Sequence, residues 1–208
     1  MRGFLLFVMV TFLLVSVLVV AVGISFVRFY VVPSTWMEPG LLKGDSLVGI
    51  RLIGQNLTRG ELVAFNLPYD PTQSAIGRVL GLPGDRVRVE NGRVVLNGKT
   101  LDEPYIELAA NVPSRNFPDR FDSSLDQGEV LRLQSEMYAE WVKEGNLIVP
   151  EGMYFILNDN RNGTVDSRNY GPVPQANIVA KPIYVYATKA AGSSRRRIDE
   201  YVVGLQPQ

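Results

Sequence analysis

The residue types that could do chemistry in this chain are limited by two absences. The sequence contains no histidine and no cysteine, which excludes a Ser-His-Asp triad, a thiol nucleophile and a metal site built on imidazole or thiolate ligands. Hydrolysis would need a serine or threonine activated by a lysine, a pair of acids, or a metal held by carboxylates. The hydroxyls that stand out are Ser34 and Thr35, which lie between Pro33 and Pro39 just after a long apolar run.

A base for these hydroxyls is hard to find in the sequence. A lysine can serve only if burial among apolar groups lowers its pKa. The chain has five lysines, Lys43, Lys99, Lys143, Lys181 and Lys189. Lys43 is nearest along the chain, but the Gly44-Asp45 pair that follows predicts a solvated turn. Asp159 and Asp166 are expected to form structural salt bridges, and neither a metal nor a cofactor is predicted.

Three segments carry the strongest sequence signals. The first, residues 31–45, reads V-V-P-S-T-W-M-E-P-G-L-L-K-G-D, and its two prolines predict an extended, rigid backbone. The second runs from Arg59-Gly60-Glu61 to Phe65 and then reads I-G-R-V-L-G-L-P-G-D from Ile76. The third reads N-D-N-R-N-G-T-V-D-S-R-N-Y-G-P-V-P from Asn158.

Together, and in this order, the segments resemble the signatures of bacterial type I signal peptidases. Those signatures are P-S-x-S-M-x-P-T-L, then R-G-D-x-V-x-F with K-R-x-x-G-x-P-G-D, then G-D-N-R-x-x-S-x-D-S-R-x-x-G-x-V-P. The resemblance spans about residues 32–187. It implies a mainly β, antiparallel catalytic domain lying against the outer side of the cell membrane, with its cleft near the bilayer.

The resemblance also implies a serine nucleophile activated by a lysine base. At the nucleophile position this chain has Trp36, and at the base position it has Gly77. An indole has no nucleophilic oxygen and glycine has no side chain, so no catalytic residue is expected at either position. The bulky Trp36 is expected in or beside the cleft, with an outward orientation into the membrane interface as the alternative.

Residues around this centre match the family more closely. Ser34 matches a hydroxyl that helps the oxyanion hole in some members. Four residues match walls of the small pocket that accepts alanine before the cleaved bond: Val32, Met37, Leu41 and Ile76. Four further residues match groups that brace the site: Arg78, Thr164, Asp166 and Arg168.

The apolar run predicts a membrane anchor. Residues 4–24 contain no charge, and as a helix they would span about 31 Å, the thickness of a bilayer core. A cleavable signal peptide is the alternative, because Ala21 and Gly23 are small residues at suitable spacing, although the run is longer than usual for one. Arg2 and Arg28 flank the run on both sides, so charge indicates the orientation only weakly.

The remaining chain reads as one β domain. Short β-rich runs at 46–52, 61–67, 153–157 and 183–186 predict strands, and Asn91-Gly92 and Asn97-Gly98 predict tight hairpins. Residues 112–127 are polar and predict a loop or disordered insert, while 131–143 predict a short helix. The expected organisation is an anchor (1–30), a β domain (31–190, with an insert at about 105–150) and a flexible basic tail (191–208).

Three functions are compatible with these patterns. The preferred one is a pseudoprotease, anchored by a single span in the cell membrane, that binds signal peptides or preproteins or modulates an active signal peptidase or the secretion machinery. The second is a working serine peptidase that cleaves after small-x-small sites through a relocated dyad. The third is a structural membrane-proximal module. Balanced charge, with 21 basic and 21 acidic residues, gives no reason to expect nucleic acid as a partner.

Overall fold

The body of the chain is built from antiparallel strands, and a long helix precedes it. The computed structural model describes residues 2–52, 54, 56–106, 116–118, 128–162, 165–188 and 196–198. The helices are α1 (Arg2–Phe26), α2 (Gly128–Glu140) and α3 (Ser167–Tyr170). The strands are β1 (Val27–Val31), β2 (Ser46–Arg51), β3 (Leu62–Leu67), β4 (Asp70–Gly81), β5 (Arg86–Glu90), β6 (Arg93–Leu96), β7 (Lys99–Thr100), β8 (Val142–Lys143), β9 (Asn146–Ile148), β10 (Met153–Leu157), β11 (Val173–Pro174), β12 (Ile178–Ala187) and β13 (Arg196–Arg197).

Helix α1 contains the apolar run of the sequence. Its stretch Gly3–Phe26 is long and apolar enough to cross a membrane, and it packs against nothing in the described body of the chain. Large side chains such as Phe4, Phe12 and Ile24 are therefore exposed. The helix leads directly into β1, which pairs with β2. This geometry is consistent with a single-pass anchor, as the sequence predicted.

The strands form two antiparallel sheets, which confirms the predicted mainly β fold. The larger sheet has the order β1-β2-β12-β3-β4-β10-β11, and β13 adds to β12. The smaller sheet has the order β7-β6-β5-β9-β8. Because β4 leads through a short turn into β5, the second sequence segment connects the two sheets.

Both predicted hairpins are present in the smaller sheet. Asn91 and Gly92 have φ values of 50° and 80°, the left-handed pair that a two-residue primed turn requires. They join β5 to β6, and the valines of β5 point into the core while its charged residues lie at the surface. Asn97 and Gly98 repeat this conformation between β6 and β7.

Strand β4 was not predicted, yet it is the longest strand of the larger sheet. One of its edges pairs with β3 from Asp70 to Arg78. On its other edge, β10 pairs only with Arg78, Val79 and Gly81. Among the described strands, none pairs with that second edge before Arg78.

Helix α2 lies three residues earlier than predicted and covers the core of the smaller sheet. Met137 is fully buried there, and Tyr138 and Trp141 pack against the same cluster. Most of the predicted insert, residues 112–115 and 119–127, lies outside the described residues. Its described part includes Phe117, which forms a bridge to Val89 of β5.

The basic tail was expected to be flexible, but part of it forms a strand. Arg196 and Arg197 make up β13 and pair with Val185 and Tyr184 of β12. Residues 189–195 and 199–208 lie outside the described part of the chain.

An ion pair links two strands of the larger sheet. The ammonium group of Lys181 on β12 donates to a carboxylate oxygen of Glu61, just before β3, at 2.6 Å. Burial raises the pKa of Glu61, but hydrogen bonds from Lys181 and Thr58 lower it, and the net result lies below the ordinary 4.5. The carboxylate is therefore charged at neutral pH and ties β3 to β12.

Candidate functional site

The first sequence segment folds into consecutive turns. Residues 34–40 consist of bends and turns, so the prediction of an extended backbone was wrong. The amide of Leu41 donates to the Met37 carbonyl at 2.8 Å, as in a helical turn. From the third segment, the backbone amide of Asn160 donates to the Trp36 carbonyl at 2.9 Å, and its side chain donates to the Thr35 carbonyl at 3.3 Å. These non-local bonds hold the peptide groups of Thr35 and Trp36 in the turn.

A cleft of about 220 Å³ opens beside this turn. Its lining residues come from the first segment and from the β3–β4 hairpin: Val32, Pro33, Ser34, Trp36, Met37, Leu67, Tyr69, Gln73, Ser74, Ala75 and Ile76. Of the predicted pocket residues, Val32, Met37 and Ile76 thus meet in one cleft. Leu41 packs in the buried cluster that contains all three but does not line the cleft.

Trp36 and Ser34 both contribute to the cleft wall. The Ser34 hydroxyl oxygen accepts a hydrogen bond from the Trp36 backbone amide at 3.4 Å. Trp36 is partly exposed, as expected for a side chain at the mouth of a cleft rather than in the core. The structure thus places Trp36 in the wall of the cleft.

Gly77 lies next to the cleft residue Ile76 on β4, but it faces the opposite side of the strand. A Cβ atom added to Gly77 would lie 2.5 Å from Ile156 Cγ2 and 3.3 Å from Phe65 Cε1. Ile156 on β10 and Phe65 on β3, the two neighbours of β4 in the sheet, are both buried in one hydrophobic cluster. The space beside Gly77 is thus filled by the core, and Gly77 itself does not line the cleft.

Arg78, the next residue on β4, forms a buried bidentate ion pair. Its Nε and Nη2 atoms donate to the two carboxylate oxygens of Asp159 at 2.8 and 2.5 Å, and Nη1 donates to the Gly60 carbonyl at 2.8 Å. The guanidinium also lies 3.9 Å above the ring centroid of Tyr105. Burial lowers the pKa of Arg78, but Asp159 raises it, and the net shift is upward. The pair joins the second and third segments.

A second buried pair joins the third segment to the smaller sheet. Arg161 donates to Glu103, to the Asn158 carbonyl and to the Gly92 carbonyl, and both charged side chains are fully buried. The Tyr105 hydroxyl donates to Glu103 at 2.8 Å. Burial, and after it the charge of Glu103, raises the pKa of Tyr105 far above its ordinary value, so this hydroxyl remains a donor.

Asp166 and Arg168 form a third ion pair at the start of α3. Arg168 donates from Nε and Nη2 to the two oxygens of Asp166, both at 2.8 Å. Asp166 also caps the helix, since it accepts from the Arg168 amide while Asn169 accepts from the Asp166 amide. Thr164, which was predicted to brace the site, lies outside the described residues. The bracing roles of Arg78, Asp166 and Arg168 stay predictions.

Several site residues were not singled out from the sequence. Tyr69, Gln73, Ser74 and Ala75 line the cleft because they precede Ile76 on the unpredicted strand β4. Recognition of that strand would have placed them there. Asn160 lies within the quoted third segment, but its bonds to the first segment depend on tertiary structure. Nothing in the sequence indicated that Ile156 faces Gly77.

Comparisons of the sequence with known proteins find signal peptidases. The family model described as "Signal peptidase, peptidase S26" matches residues 5–187. A probable signal peptidase I-2 from Synechocystis is 34% identical over 81% of this chain and 67% of its own length. A signal peptidase I from Aquifex aeolicus is 27% identical (83% and 82% covered), and signal peptidase IB from Staphylococcus aureus is 28% identical (78% and 84% covered).

The chain therefore belongs to the signal peptidase family. A solved signal peptidase I from Enterococcus faecalis is also similar, at 28% identity and a TM-score of 0.43, over 60% of this chain and 94% of that one.

Proposed function

We propose that this chain is a membrane-anchored pseudoprotease that binds the signal peptide of an exported preprotein without cleaving it. The observation that carries the proposal is a retained cleft whose wall includes Trp36, at the position that the family resemblance assigns to the nucleophile. In this proposal α1 spans the cell membrane once and the body lies on its outer side. In that position it could also interact with an active signal peptidase or with the secretion machinery.

Loss of the nucleophile is sufficient to remove the family's reaction. Truncation of a serine peptidase's nucleophile lowers the rate by about a millionfold, or roughly 8 kcal/mol of barrier. Among the described residues of the cleft wall, Ser34 is the hydroxyl closest to Trp36 in sequence, and as a nucleophile it would need a base. None of the described residues that line the cleft is a lysine.

The described lysines lie elsewhere. Lys43, Lys99 and Lys143 are exposed, and Lys181 is paired with Glu61. None of these four residues lines the cleft that contains Ser34. These positions argue against a relocated Ser-Lys dyad.

The base position also favours a non-catalytic site. A lysine at position 77 would have to direct its stem into the space that Ile156 and Phe65 occupy. Ile156 and Phe65 are buried members of one hydrophobic cluster, so a lysine stem would have to displace them. The packing of the core is thus adapted to glycine at this position.

Strand β4 provides a means of binding an extended peptide. Its edge opposite β3 has no described strand partner before Arg78, and Ser74, Ala75 and Ile76 on that stretch line the cleft. An extended peptide could add to this edge through backbone hydrogen bonds while one of its side chains enters the cleft. Such binding requires neither Ser nor Lys at the centre.

A cleavage assay tests the absence of activity. We would incubate the full chain in detergent micelles with a preprotein carrying an Ala-x-Ala site, beside the triple variant Trp36→Ser, Gly77→Lys, Ile156→Ala. The third substitution makes room for the lysine stem. We expect that only the triple variant cleaves the preprotein. Cleavage by the unaltered chain would overturn the proposal.

A fluorescence titration tests the binding. A synthetic signal peptide should change the tryptophan emission of the full chain, because Trp36 lines the cleft. The matched controls are Trp36→Phe, which should lose the response, and Trp141→Phe, which should keep it. If no variant responds and the peptide does not co-purify with the micelle-bound chain, the proposed binding is wrong.

A further inference from the structure

We infer that the cleft beside Trp36 accepts one bulky apolar side chain, of the size of leucine or phenylalanine, in preference to alanine. This inference rests on the proposed function, since it names the kind of peptide that the same site would bind. It differs from what the family resemblance implies, which is a small pocket for alanine.

The volume of the cleft is the first argument. An apolar cavity of roughly 150 Å³ is large enough to hold benzene. The cleft measures about 220 Å³ with the Trp36 side chain in place. A methyl group would leave most of this space unfilled and its walls without contacts, whereas a branched or aromatic side chain would contact several walls at once.

The walls of the cleft are the second argument. Ala75 is a small, almost fully buried residue on the β4 side of the cleft, and it belongs to the same core cluster as Leu67. Apolar side chains, among them Met37 and Leu67, form much of the remaining surface, and the rings of Trp36 and Tyr69 also contribute. Aromatic walls favour an apolar or aromatic occupant.

The polar residues of the cleft are already engaged within the protein. The Ser74 hydroxyl donates to Asn66 Oδ1 at 3.0 Å, and the Gln73 amide donates to Asp70 Oδ2 at 2.6 Å. The Ser34 hydroxyl oxygen accepts from the Trp36 amide. Burial, and after it the charge of Asp70, raises the pKa of Tyr69, which stays neutral at physiological pH. The cleft therefore offers contact surface rather than a charged recognition group.

A peptide series tests the inference. We would titrate the full chain in nonionic micelles with signal peptides that differ only in the residue before the processing site, which would be alanine, valine, leucine or phenylalanine. Each added methylene in a hydrophobic pocket is worth about 10-fold or more in discrimination, so we expect leucine and phenylalanine to bind at least about 10-fold more tightly than alanine.

Partition of bulky peptides into micelles could imitate this preference, and Ala75→Leu is the control. This variant fills the cleft but leaves the micelle unchanged, so the preference for leucine should disappear. Near-ultraviolet circular dichroism would show that the variant is folded. As a second variant, Trp36→Ala enlarges the cleft and should shift the preference toward phenylalanine.

The outcomes separate the inference from the proposed function. Alanine peptides that bind the unaltered chain as tightly as leucine peptides would overturn the inference alone. A preference for leucine that persists unchanged in both Ala75→Leu and Trp36→Ala would also overturn it. The absence of binding by every peptide would overturn the proposed function and the inference together.

Discussion

The contact between Gly77 and Ile156 allows the reason for the glycine to be tested by stability alone. The backbone of Gly77 lies outside the left-handed region, so alanine could adopt it without strain. Replacement of a strand glycine by alanine should then stabilise the fold by about 0.5–1 kcal/mol. Against this gain, the new Cβ would lie 2.5 Å from Ile156 Cγ2, and overpacking of a core costs about 1–3 kcal/mol.

We therefore expect Gly77→Ala to lower the free energy of unfolding by up to about 2.5 kcal/mol in the unaltered background. In an Ile156→Ala background the obstructing methyl is gone, and Gly77→Ala should instead stabilise by about 0.5–1 kcal/mol. The matched control is Ile156→Val, which keeps Cγ2 and should preserve the penalty.

The assay is urea unfolding of the full chain in mild detergent, followed by tryptophan fluorescence for each variant and its background. The double-mutant cycle should give a coupling energy of about 1–3 kcal/mol between positions 77 and 156 in the alanine background and nearly none in the valine background. If Gly77→Ala has the same effect in all three backgrounds, Ile156 is not what restricts position 77. The packing argument that supports the proposed function at position 77 would then fail.

Three further outcomes are expected. Glu103→Gln leaves the guanidinium of Arg161 buried without its counter-charge, so it should cost about 3–5 kcal/mol in urea unfolding; a loss below about 1 kcal/mol would contradict the burial of this pair. The lowered pKa of Glu61 stabilises the fold above pH 4.5, and this stabilisation is lost as the pH falls through the folded-state value. Between pH 6 and 3, the free energy of unfolding should therefore change less with pH in Glu61→Gln than in the unaltered chain. An equal change in both would show that other groups dominate. Asn160→Ala removes the side-chain bond to Thr35 and should weaken peptide binding several-fold with a loss of stability of about 1 kcal/mol, whereas unchanged affinity would show that this bond does not position the cleft.

Local sequence signals predicted the parts of the fold that local physics determines. Asn91-Gly92 requires left-handed φ values, and alternating valines flank it, so both the turn and the burial of its strands followed from the sequence. The apolar run likewise predicted α1 by length and composition. Strand β4 could not be predicted in this way, because its sequence D-P-T-Q-S-A-I-G-R-V-L-G neither alternates apolar with polar residues nor concentrates β-branched residues. Its conformation depends on pairing with β3 and β10.

The candidate site was predictable only in part, for the same reason. Val32, Met37 and Ile76 were predicted as pocket walls from motif positions, and they meet in one cleft. The contact between Gly77 and Ile156 joins residues that are far apart in sequence, and no local pattern reports it. The size of the cleft beside Ala75 was also unpredictable, since it depends on how the turn at 34–40 packs against the β3–β4 hairpin.

The charged residues of the three segments connect the parts of the fold that surround the cleft. Arg59 pairs with Asp85 at 2.9 Å, Arg78 pairs with Asp159, and Asp166 pairs with Arg168. These ion pairs lie within and between the segments, and none of them includes residue 36 or 77. Breaking a buried pair would cost several kcal/mol, whereas a change at the cleft wall leaves every pair intact. Under the proposed function, Trp36 and Gly77 would leave these ion pairs and the cleft in place, and with them a surface for binding.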